Sequence, residues 1–328
     1  MLPLLADHLT AAARALPEDV RRYFAGGSGD ERTLAEAEAA WQAVRLRPRV
    51  LRDVATVDTR VTLLGTPLST PVLAGPTAAH GLAHPRAEAE TARGVAAAGS
   101  LLVLSARASL PVTEVVVGPC WHQAYVLRDR RRTLDAARRA ADAGATAVVL
   151  TGDVPYLGDR PGASRVQLTV GLPDDGDTAD PSAGLEVIGE LEAATGLPVL
   201  VKGVLRGDDA LACLDAGAVG VVVSNHGGRQ LDRALPTVAA LPEVVEAVGG
   251  RGPVLVDGGL RSGLAVLCAL ALGAAAELLG RPVLWALAAG GAPAVQACLE
   301  AVTSDLARAM GLAGARTLAE LGPDLVHR

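Results

Sequence analysis

Cysteine is scarce in this chain, and its few cysteines lie far apart. Cys120, Cys213, Cys268 and Cys298 form no CxxC pair. A structural zinc site or a disulfide framework requires cysteines at short, regular spacing. The sequence therefore argues against both, and we predict buried free thiols and no metal site.

An excess of positive charge is also missing. The formal net charge is -6, and the arginines are dispersed along the chain. Nucleic-acid-binding domains usually carry a basic patch or stripe. We therefore predict no nucleic-acid partner, and we expect any bound anion to be small.

The sequence lacks a recognisable secretion signal and a long uninterrupted apolar run. The first residues include Asp7 rather than a basic start followed by an apolar stretch. The apolar stretch 264–279 contains Gly273 and Glu277 and is shorter than the span of about 20 residues that crosses a bilayer. We predict a cytoplasmic protein without a membrane segment, in which this stretch is a buried helix running into a strand.

What the chain does contain is a repeating pattern. Half of its 328 residues are hydrophobic, and the length allows two average domains or one large α/β barrel. Apolar runs that end in turn-forming residues predict eight strands, at 71–76, 100–105, 122–126, 147–153, 198–203, 220–225, 254–259 and 276–281. Ala-rich amphipathic stretches between them predict helices, among them 87–98, 131–143, 208–216 and 261–272.

Strands that alternate with helices imply a parallel sheet. Gly99, Gly144, Gly217 and Gly273 each follow a helical stretch, where a left-handed C-cap is expected. Eight such units favour a closed (β/α)8 TIM barrel, with an open doubly wound sheet as the alternative.

We predict a single α/β domain over residues 1–328. An N-terminal helical cap with a short extended piece covers 1–70, the barrel covers 71–283, and closing helices cover 284–328. The segment 160–185, rich in proline, glycine and aspartate, is predicted to be a loop after strand 4. It is either a lid over the site or a disordered excursion.

Polar residues occur at the predicted carboxyl ends of the strands, where barrel enzymes place their catalytic groups. His226 follows the sixth strand with Arg229 three residues later, and Lys202 ends the fifth. A lone histidine is usually structural, and any one of these residues could be a solvated surface group. Five successive strand ends bear such residues, however, and the others are Gln123, Tyr125, Asp153, Arg160, Asp257 and Arg261. We therefore predict a site at this face.

Glycine-rich turns close the seventh and eighth strands. Asp257-Gly258-Gly259 and Leu279-Gly280-Arg281 combine glycine amides with arginine where many barrels bind a phosphate. An ordinary βα loop is the alternative interpretation, since glycine-rich turns alone are weakly specific.

The run SNHGGRQLD at 224–232 resembles the signature of the FMN-dependent α-hydroxy acid oxidase and dehydrogenase family, which includes glycolate, lactate and mandelate enzymes. The resemblance extends over nearly the whole chain. It includes AGG at 25–27 with Asp30 and Leu34, RPR at 47–49, GPTA at 75–78, QAY at 123–125, LVKG at 200–203, DGG at 257–259 and GRP at 280–282.

The resemblance implies FMN as the cofactor and an (S)-2-hydroxy acid as the substrate, oxidised to the 2-oxo acid. His226 would be the general base, taking either the α-proton or the hydroxyl proton, and Asp153 would orient and stabilise its imidazole. Arg229 and Arg160 would clamp the substrate carboxylate, and Tyr125 would hydrogen-bond the substrate.

The resemblance also assigns a set of residues to the cofactor. The positive charge of Lys202 would stabilise the reduced flavin, and residues near strands seven and eight would hold the ribityl chain and phosphate. The implied cofactor residues are Pro76, Thr77, Ala78, Ser105, Gln123, Thr151, Lys202, Ser224, Asp257, Gly258, Gly259, Arg261, Gly280 and Arg281.

Two positions depart from the family pattern and concern the substrate. Phe24 stands where well-known members have a tyrosine that binds the carboxylate, and the adjacent Tyr23 is expected to face a different direction. Arg107 stands where a larger apolar or aromatic residue is common. It implies either a substrate with a further anionic or polar group or a solvent-facing arginine.

Three functions remain open at this point. The first is an (S)-2-hydroxy acid oxidase whose reduced FMN is reoxidised by O2 or another acceptor. The second is a biosynthetic member acting on an aryl hydroxy acid, such as a hydroxymandelate, or on an amine beside a carbonyl. The third is a non-catalytic flavin-binding protein, which the presence of His226, Arg229, Lys202 and Asp153 disfavours. Relatives are commonly tetramers or larger, so a homo-oligomer is implied.

Overall fold

The computed structural model describes residues 1–160 and 179–327. The chain begins with the expected helices and short extended pieces. These elements are α1 (Pro3–Ala15), α2 (Glu18–Ala25), α3 (Arg32–Gln42), β1 (Arg45–Leu46), and a hairpin of β2 (Val61–Leu63) and β3 (Thr66–Leu68).

Eight parallel strands then close into a barrel in chain order, with the last strand pairing with the first. They are β4 (Val72–Ala74), β5 (Leu102–Ser105), β6 (Cys120–Ala124), β7 (Val148–Thr151), β8 (Val199–Val204), β9 (Gly220–Val223), β10 (Val254–Val256) and β11 (Ala276–Leu279). All eight overlap the predicted runs. The TIM-barrel prediction is confirmed, and the open-sheet alternative is wrong.

Helices pack around the barrel, and all four stretches singled out in the sequence are helical. The helices are α4 (Ala87–Ala97), α5 (Arg130–Asp142), α6 (Glu186–Thr195), α7 (Gly207–Asp215), α8 (Thr237–Val248), α9 (Gly263–Ala271) and α10 (Arg281–Ala313). Between β5 and β6 the described chain has a 3-10 turn, Val112–Glu114, instead of an α-helix. The glycines predicted as C-caps all have positive φ, from 65° at Gly99 to 103° at Gly217.

Two apolar layers hold the strands in place. One cluster fills the barrel and includes Leu73, Trp121, Leu200 and Leu255. A larger cluster, which includes Val72, lies between the strands and the helices. Each fully buried side chain of this kind contributes about 1.5–3 kcal/mol, so the strand ends that bear the site are rigidly positioned. The cysteines are buried free thiols, as predicted.

The helix α10 is long and apolar enough to cross a membrane by length and composition. It kinks at Gly290 and Gly291 and packs against α1, α4 and α9. Because 56% of its most apolar window is buried inside the protein, its environment is that of a core helix. The apolar stretch 264–279 is the predicted buried helix and strand, α9 and β11.

The C-terminal region is not entirely helical, which corrects one detail of the prediction. After α10 the chain forms two 3-10 turns and a short strand, β12 (Val326–His327), which pairs antiparallel with β1. Most of the predicted lid, residues 161–178, lies outside the described residues, so that role stays a prediction.

Candidate active site

A cavity at the carboxyl ends of the barrel strands contains most of the predicted site residues. Among the described residues, six cationic side chains and one carboxylate line it. The cations are Arg107, Arg160, Lys202, Arg229, Arg261 and Arg281, and the carboxylate is Asp257. This imbalance of charge favours the binding of anions in the cavity.

His226 and Asp153 form a hydrogen-bonded pair at this cavity. Nδ1 of His226 lies 3.1 Å and 3.2 Å from the two carboxylate oxygens of Asp153. An ionised carboxylate can only accept, so Nδ1 carries the hydrogen and donates it. The other ring nitrogen, Nε2, is then an acceptor. His226 has a left-handed φ of 56°, a conformation that costs about 1–3 kcal/mol.

Charges and burial set the protonation of this pair. Burial, and then the charge of Lys202, lower the pKa of His226, and Asp153 only partly opposes them. Burial raises the pKa of Asp153, but the hydrogen bond and charge of His226 and the charge of Lys202 outweigh it and leave the pKa below its usual value. At neutral pH the pair is therefore a neutral imidazole held by a carboxylate.

A bulge in β8 makes room for Asp153. The pairing of β8 with β9 shifts register between Lys202 and Val204, and the intervening Gly203 has a φ of 108°. A Cβ at this position would lie 2.6 Å from the Cβ of Asp153. Only glycine therefore allows the Asp153 side chain to reach His226.

Lys202, the one lysine in the sequence, is buried beneath the cavity. Its Nζ lies 3.0 Å from Oδ2 of Asp257 and donates a 2.8 Å hydrogen bond to Oγ of Ser224. Ser224 Oγ also accepts a hydrogen bond from the backbone N–H of His226. Burial lowers the Lys202 pKa, but Asp257 and Asp153 raise it above its ordinary value. The ammonium therefore stays charged.

Arg229 and Arg160 supply cations close to one another. Arg229 Nη1 donates to the carbonyls of Tyr23 and Gly26, and Arg160 Nε donates to the Arg229 carbonyl. Burial, and then the charge of Arg160, lower the pKa of Arg229 to about 10. Neither guanidinium forms an ion pair with a described residue, since the ion pairs at this site join other partners. Both are available to bind a carboxylate.

Arg281 lies at the N-terminus of α10, directly after Gly280. Its three guanidinium nitrogens donate to the carbonyls of Phe24, Gly26 and Gly227. Burial, followed by the charges of Arg229 and Arg261, lowers its pKa to about 9. A buried cation at a helix N-terminus is a suitable phosphate site.

Asp257 indicates a second chemical group that a ligand in the cavity could carry. Oδ2 pairs with Lys202, while Oδ1 is buried without a hydrogen-bond partner among residues 1–160 and 179–327. Leaving such an oxygen unpaired costs about 1–3 kcal/mol. A hydroxyl donor on a bound molecule would satisfy it. The cavity therefore suits a ligand that carries both a phosphate and hydroxyl groups.

Several predicted site residues lie behind the cavity wall rather than on it. Gln123 Nε2 donates to Thr151 Oγ1 at 2.8 Å, and its Oε1 accepts from Ser105 Oγ and the Ala106 N–H. Gln123 thus ties three strand ends together and retains one amide hydrogen for a ligand. The predicted residues that line the cavity are Phe24, Pro76, Thr77, Ala78, Ser105, Arg107, Tyr125, Arg160, Lys202, His226, Arg229, Asp257, Gly258, Gly259, Arg261, Gly280 and Arg281.

Tyr23 lies at the cavity together with Phe24, while its expected inability to replace the missing tyrosine hydroxyl stays a prediction. Both residues line the cavity, with ring centroids 5.4 Å apart. The guanidinium of Arg229 lies 5.2 Å from the centroid of the Tyr23 ring. This cation–π contact with Arg229 helps to hold the Tyr23 ring at the cavity, next to Phe24 on the same helix.

Two residues of the run 224–232 have structural roles that sequence reasoning missed. The Gln230 amide donates to the carbonyls of Asp153 and Tyr156 and accepts from Arg160 Nη2 at 2.8 Å. The Asp232 carboxylate accepts from the backbone N–H of Asp30 and Thr33 at the start of α3. In the sequence, the only indication of these roles was that Gln230 and Asp232 lie in the same run as His226 and Arg229.

The fold and site define a (β/α)8-barrel protein with a histidine–aspartate pair beside a cavity rich in cationic side chains. A sequence model of the FMN-dependent dehydrogenase family matches residues 12–175 and 174–328. The chain belongs to this family, and its cofactor is FMN.

Curated relatives and solved structures agree with this assignment. The 4-hydroxymandelate oxidase of Amycolatopsis orientalis is 42% identical, with 96% of this chain and 95% of the relative covered. The glycolate oxidase of Spinacia oleracea is 39% identical, with 96% and 93% covered. A crystal structure of mandelate oxidase matches with a TM-score of 0.93 and 41% identity, with 98% of this chain and 97% of that chain covered.

Proposed function

We propose that this protein oxidises an (S)-2-hydroxy acid to the 2-oxo acid, with O2 as the final electron acceptor. The observation that supports this most directly is the neutral His226, whose Nδ1 is held by Asp153 and whose Nε2 is free to accept a proton. It stands at the same cavity as Arg229 and Arg160, whose guanidinium groups form no ion pair among the described residues. The names of the relatives support the substrate class.

In the proposed reaction the substrate carboxylate binds Arg229 and Arg160. Tyr125 hydrogen-bonds the substrate and helps to orient the α-carbon. His226 Nε2 takes one proton from the substrate, and Asp153 stabilises the imidazolium that forms. Bound FMN would supply the chemistry of accepting the two electrons and the second hydrogen released as the alcohol becomes a carbonyl.

The remaining cavity residues are proposed to hold FMN. Arg281, Arg261 and the N-terminus of α10 suit its phosphate, and Asp257 Oδ1 suits a ribityl hydroxyl. Lys202 would stabilise negative charge on the reduced ring. The ring itself would contact Pro76, Thr77, Ala78, Ser105, Gln123, Thr151 and Ser224, and the chain between ring and phosphate would contact Gly258, Gly259 and Gly280.

Arg107 bears on the identity of the substrate. Its guanidinium lines the cavity 5.4 Å from the centroid of the Tyr125 ring. This position supports a 2-hydroxy acid with a second acidic or polar group. The apolar side chains of Phe24, Leu157 and Leu284 at the same cavity support the alternative, an aryl hydroxy acid.

The test is anaerobic reduction of the bound flavin by aliphatic, aromatic and dicarboxylic 2-hydroxy acids and by amino acids. We expect bleaching with at least one hydroxy acid, and loss of bleaching in His226→Gln with its yellow colour retained. His327→Gln, an exposed histidine, is the matched control. A protein that binds FMN but is reduced by no compound in the panel would instead be a non-catalytic flavin-binding protein.

Assembly, acceptor and location are further parts of the proposal. We propose a homotetramer or larger assembly in the cytoplasm, without a membrane or nucleic-acid partner. The family resemblance and the formal charge of -6 support this. Light scattering coupled to gel filtration measures the assembly, and peroxide formation during turnover identifies O2 as the acceptor.

A further inference from the structure

A fully enclosed histidine, His80, lies directly behind the cavity. His80 follows β4, is 2% exposed, and has both ring nitrogens bonded to threonine hydroxyls. Its Nε2 lies 2.7 Å from Thr77 Oγ1, and its Nδ1 lies 2.8 Å from Thr91 Oγ1. Thr77 itself lines the cavity. His80 is therefore connected to the cofactor site through one side chain.

The backbone around His80 is fixed by a buried carboxylate. Glu88 has no exposed surface, and its Oε1 accepts the N–H of His80 and the N–H of Ser109, each at 2.9 Å. The Ser109 hydroxyl in turn accepts the N–H of Gly81. These bonds join the loops after β4 and β5. The imidazole is thus held in one orientation.

The hydrogens of this cluster can be assigned by elimination. Burial lowers the His80 pKa, so the ring is neutral and has one N–H donor and one acceptor nitrogen. One threonine must then donate to the ring, and the other must accept from it. In one arrangement the hydroxyl hydrogen of Thr77 has no acceptor in the imidazole ring, and in the other the hydroxyl hydrogen of Thr91 has none.

Burial decides between the two arrangements. Thr91 has no exposed surface, and among the described residues its hydroxyl has His80 Nδ1 as its partner. If Nδ1 carried the hydrogen, the Thr91 hydroxyl hydrogen would be buried without an acceptor, which costs about 1–3 kcal/mol. Thr91 therefore donates to Nδ1, and Nε2 carries the ring hydrogen and donates to Thr77.

We propose that His80 is a positioning residue that makes Thr77 a hydrogen-bond donor to bound FMN. Since Thr77 Oγ1 already accepts from His80, its own hydrogen is directed into the cavity. A donor at the flavin favours the electron-rich reduced ring. This inference depends on the proposed contact between Thr77 and FMN, and on no step of substrate oxidation.

Nitrogen-15 NMR of histidine-labelled protein tests the assigned hydrogens directly. The chain has six histidines, and the His80 signals are those lost in His80→Gln. We expect a neutral ring with hydrogen on Nε2, in the protein with FMN bound and in the protein without it. A neutral ring with hydrogen on Nδ1, or a charged ring, would overturn the proposal.

The midpoint potential of the bound flavin tests the effect on the cofactor. We expect Thr77→Val and His80→Phe each to shift it to more negative values, and the double variant to shift it no further. Thr77→Ser and His80→Gln, which keep the hydroxyl and an N–H donor, should restore most of the potential. Unchanged potentials, or additive shifts in the double variant, would contradict the role.

This test is separate from the proposed reaction. Potentials are measured by chemical reduction, so the same shifts are expected in a His226→Gln background that cannot turn over substrate. If His80→Phe fails to fold, Thr77→Val against Thr77→Ser still decides whether the hydroxyl acts on the flavin, and the NMR result still decides which atom donates.

Discussion

Nζ of Lys202 lies 3.0 Å from Oδ2 of Asp257, and the two side chains form a buried ion pair beneath the cavity. Only 5% of the lysine side chain and 13% of the aspartate side chain are exposed. Because each charge is removed from water, each depends on the other for compensation.

Removal of one partner should therefore destabilise the protein. Lys202→Met leaves the Asp257 carboxylate without its cation, and we expect a loss of about 3–5 kcal/mol in the free energy of unfolding of the protein without FMN. Urea denaturation measures this loss. Lys202→Met combined with Asp257→Asn should recover much of it, since no buried charge is left unpaired. A double variant as unstable as Lys202→Met would contradict this account.

The pH dependence of flavin reduction should follow His226. Its folded pKa is lowered by burial and Lys202, and only the neutral ring can take a proton. The rate should therefore rise as pH increases through a value below the ordinary pKa of histidine and then stay level. Stopped-flow reduction across pH measures this profile.

Asp153→Asn should shift the same profile in a defined direction. The carboxylate raises the His226 pKa, so its loss should move the acid limb to lower pH. The plateau rate should fall by about 100-fold or more, because the imidazolium loses its stabilising charge. Asp159→Asn, an exposed residue of the same loop, is the control. An acid limb that moves to higher pH would refute the assignment.

Arg229→Lys should weaken substrate binding. Lysine cannot reproduce the fork of donors that holds both a carboxylate and the carbonyls of Tyr23 and Gly26. Loss of one charged hydrogen bond costs about 1.5–3 kcal/mol, so kcat/KM should fall about 10- to 150-fold. Arg233→Lys, on the exposed part of the same segment, should leave kcat/KM unchanged. Equal effects of the two substitutions would exclude a specific role.

Arg281→Gln should reduce affinity for phosphate and for FMN. Inorganic phosphate should raise the melting temperature of the protein without FMN, because phosphate compensates a buried guanidinium whose pKa is lowered to about 9. Differential scanning calorimetry should show this stabilisation in the parent and in Arg251→Gln, which changes an exposed arginine. It should be much smaller in Arg281→Gln. A full phosphate effect in that variant would place the anion elsewhere.

The sequence was most informative about the barrel. Apolar strands buried on both faces leave continuous runs such as 220–223, and a glycine after each helix marks the next strand. Other elements left weaker signals. The strand β12 has two residues and is defined by its pairing with β1, while α8 contains Pro242, which usually disrupts a helix.

The site residues were predictable in identity and less so in arrangement. His226 and Asp153 follow strands and Lys202 lies near the end of β8, so the topology alone brings them together. The sequence could not show that Gln123 bonds Thr151 and Ser105, or that Arg229 holds Tyr23 at the cavity, because these contacts depend on side-chain packing between distant segments. For the same reason no pattern in the sequence predicted the hydrogen-bonded cluster around His80.

The bonds from Asp232 to the start of α3 have a consequence for the order of folding. Asp30 and Asp232 are separated by 202 positions in the chain, so the segment that precedes α3 cannot be anchored until the ninth strand and its loop have been synthesised. Closing so long a loop is entropically costly and slow. We therefore expect the segment between α2 and α3, although it lies near the N-terminus, to become fixed in place only after β9 has formed.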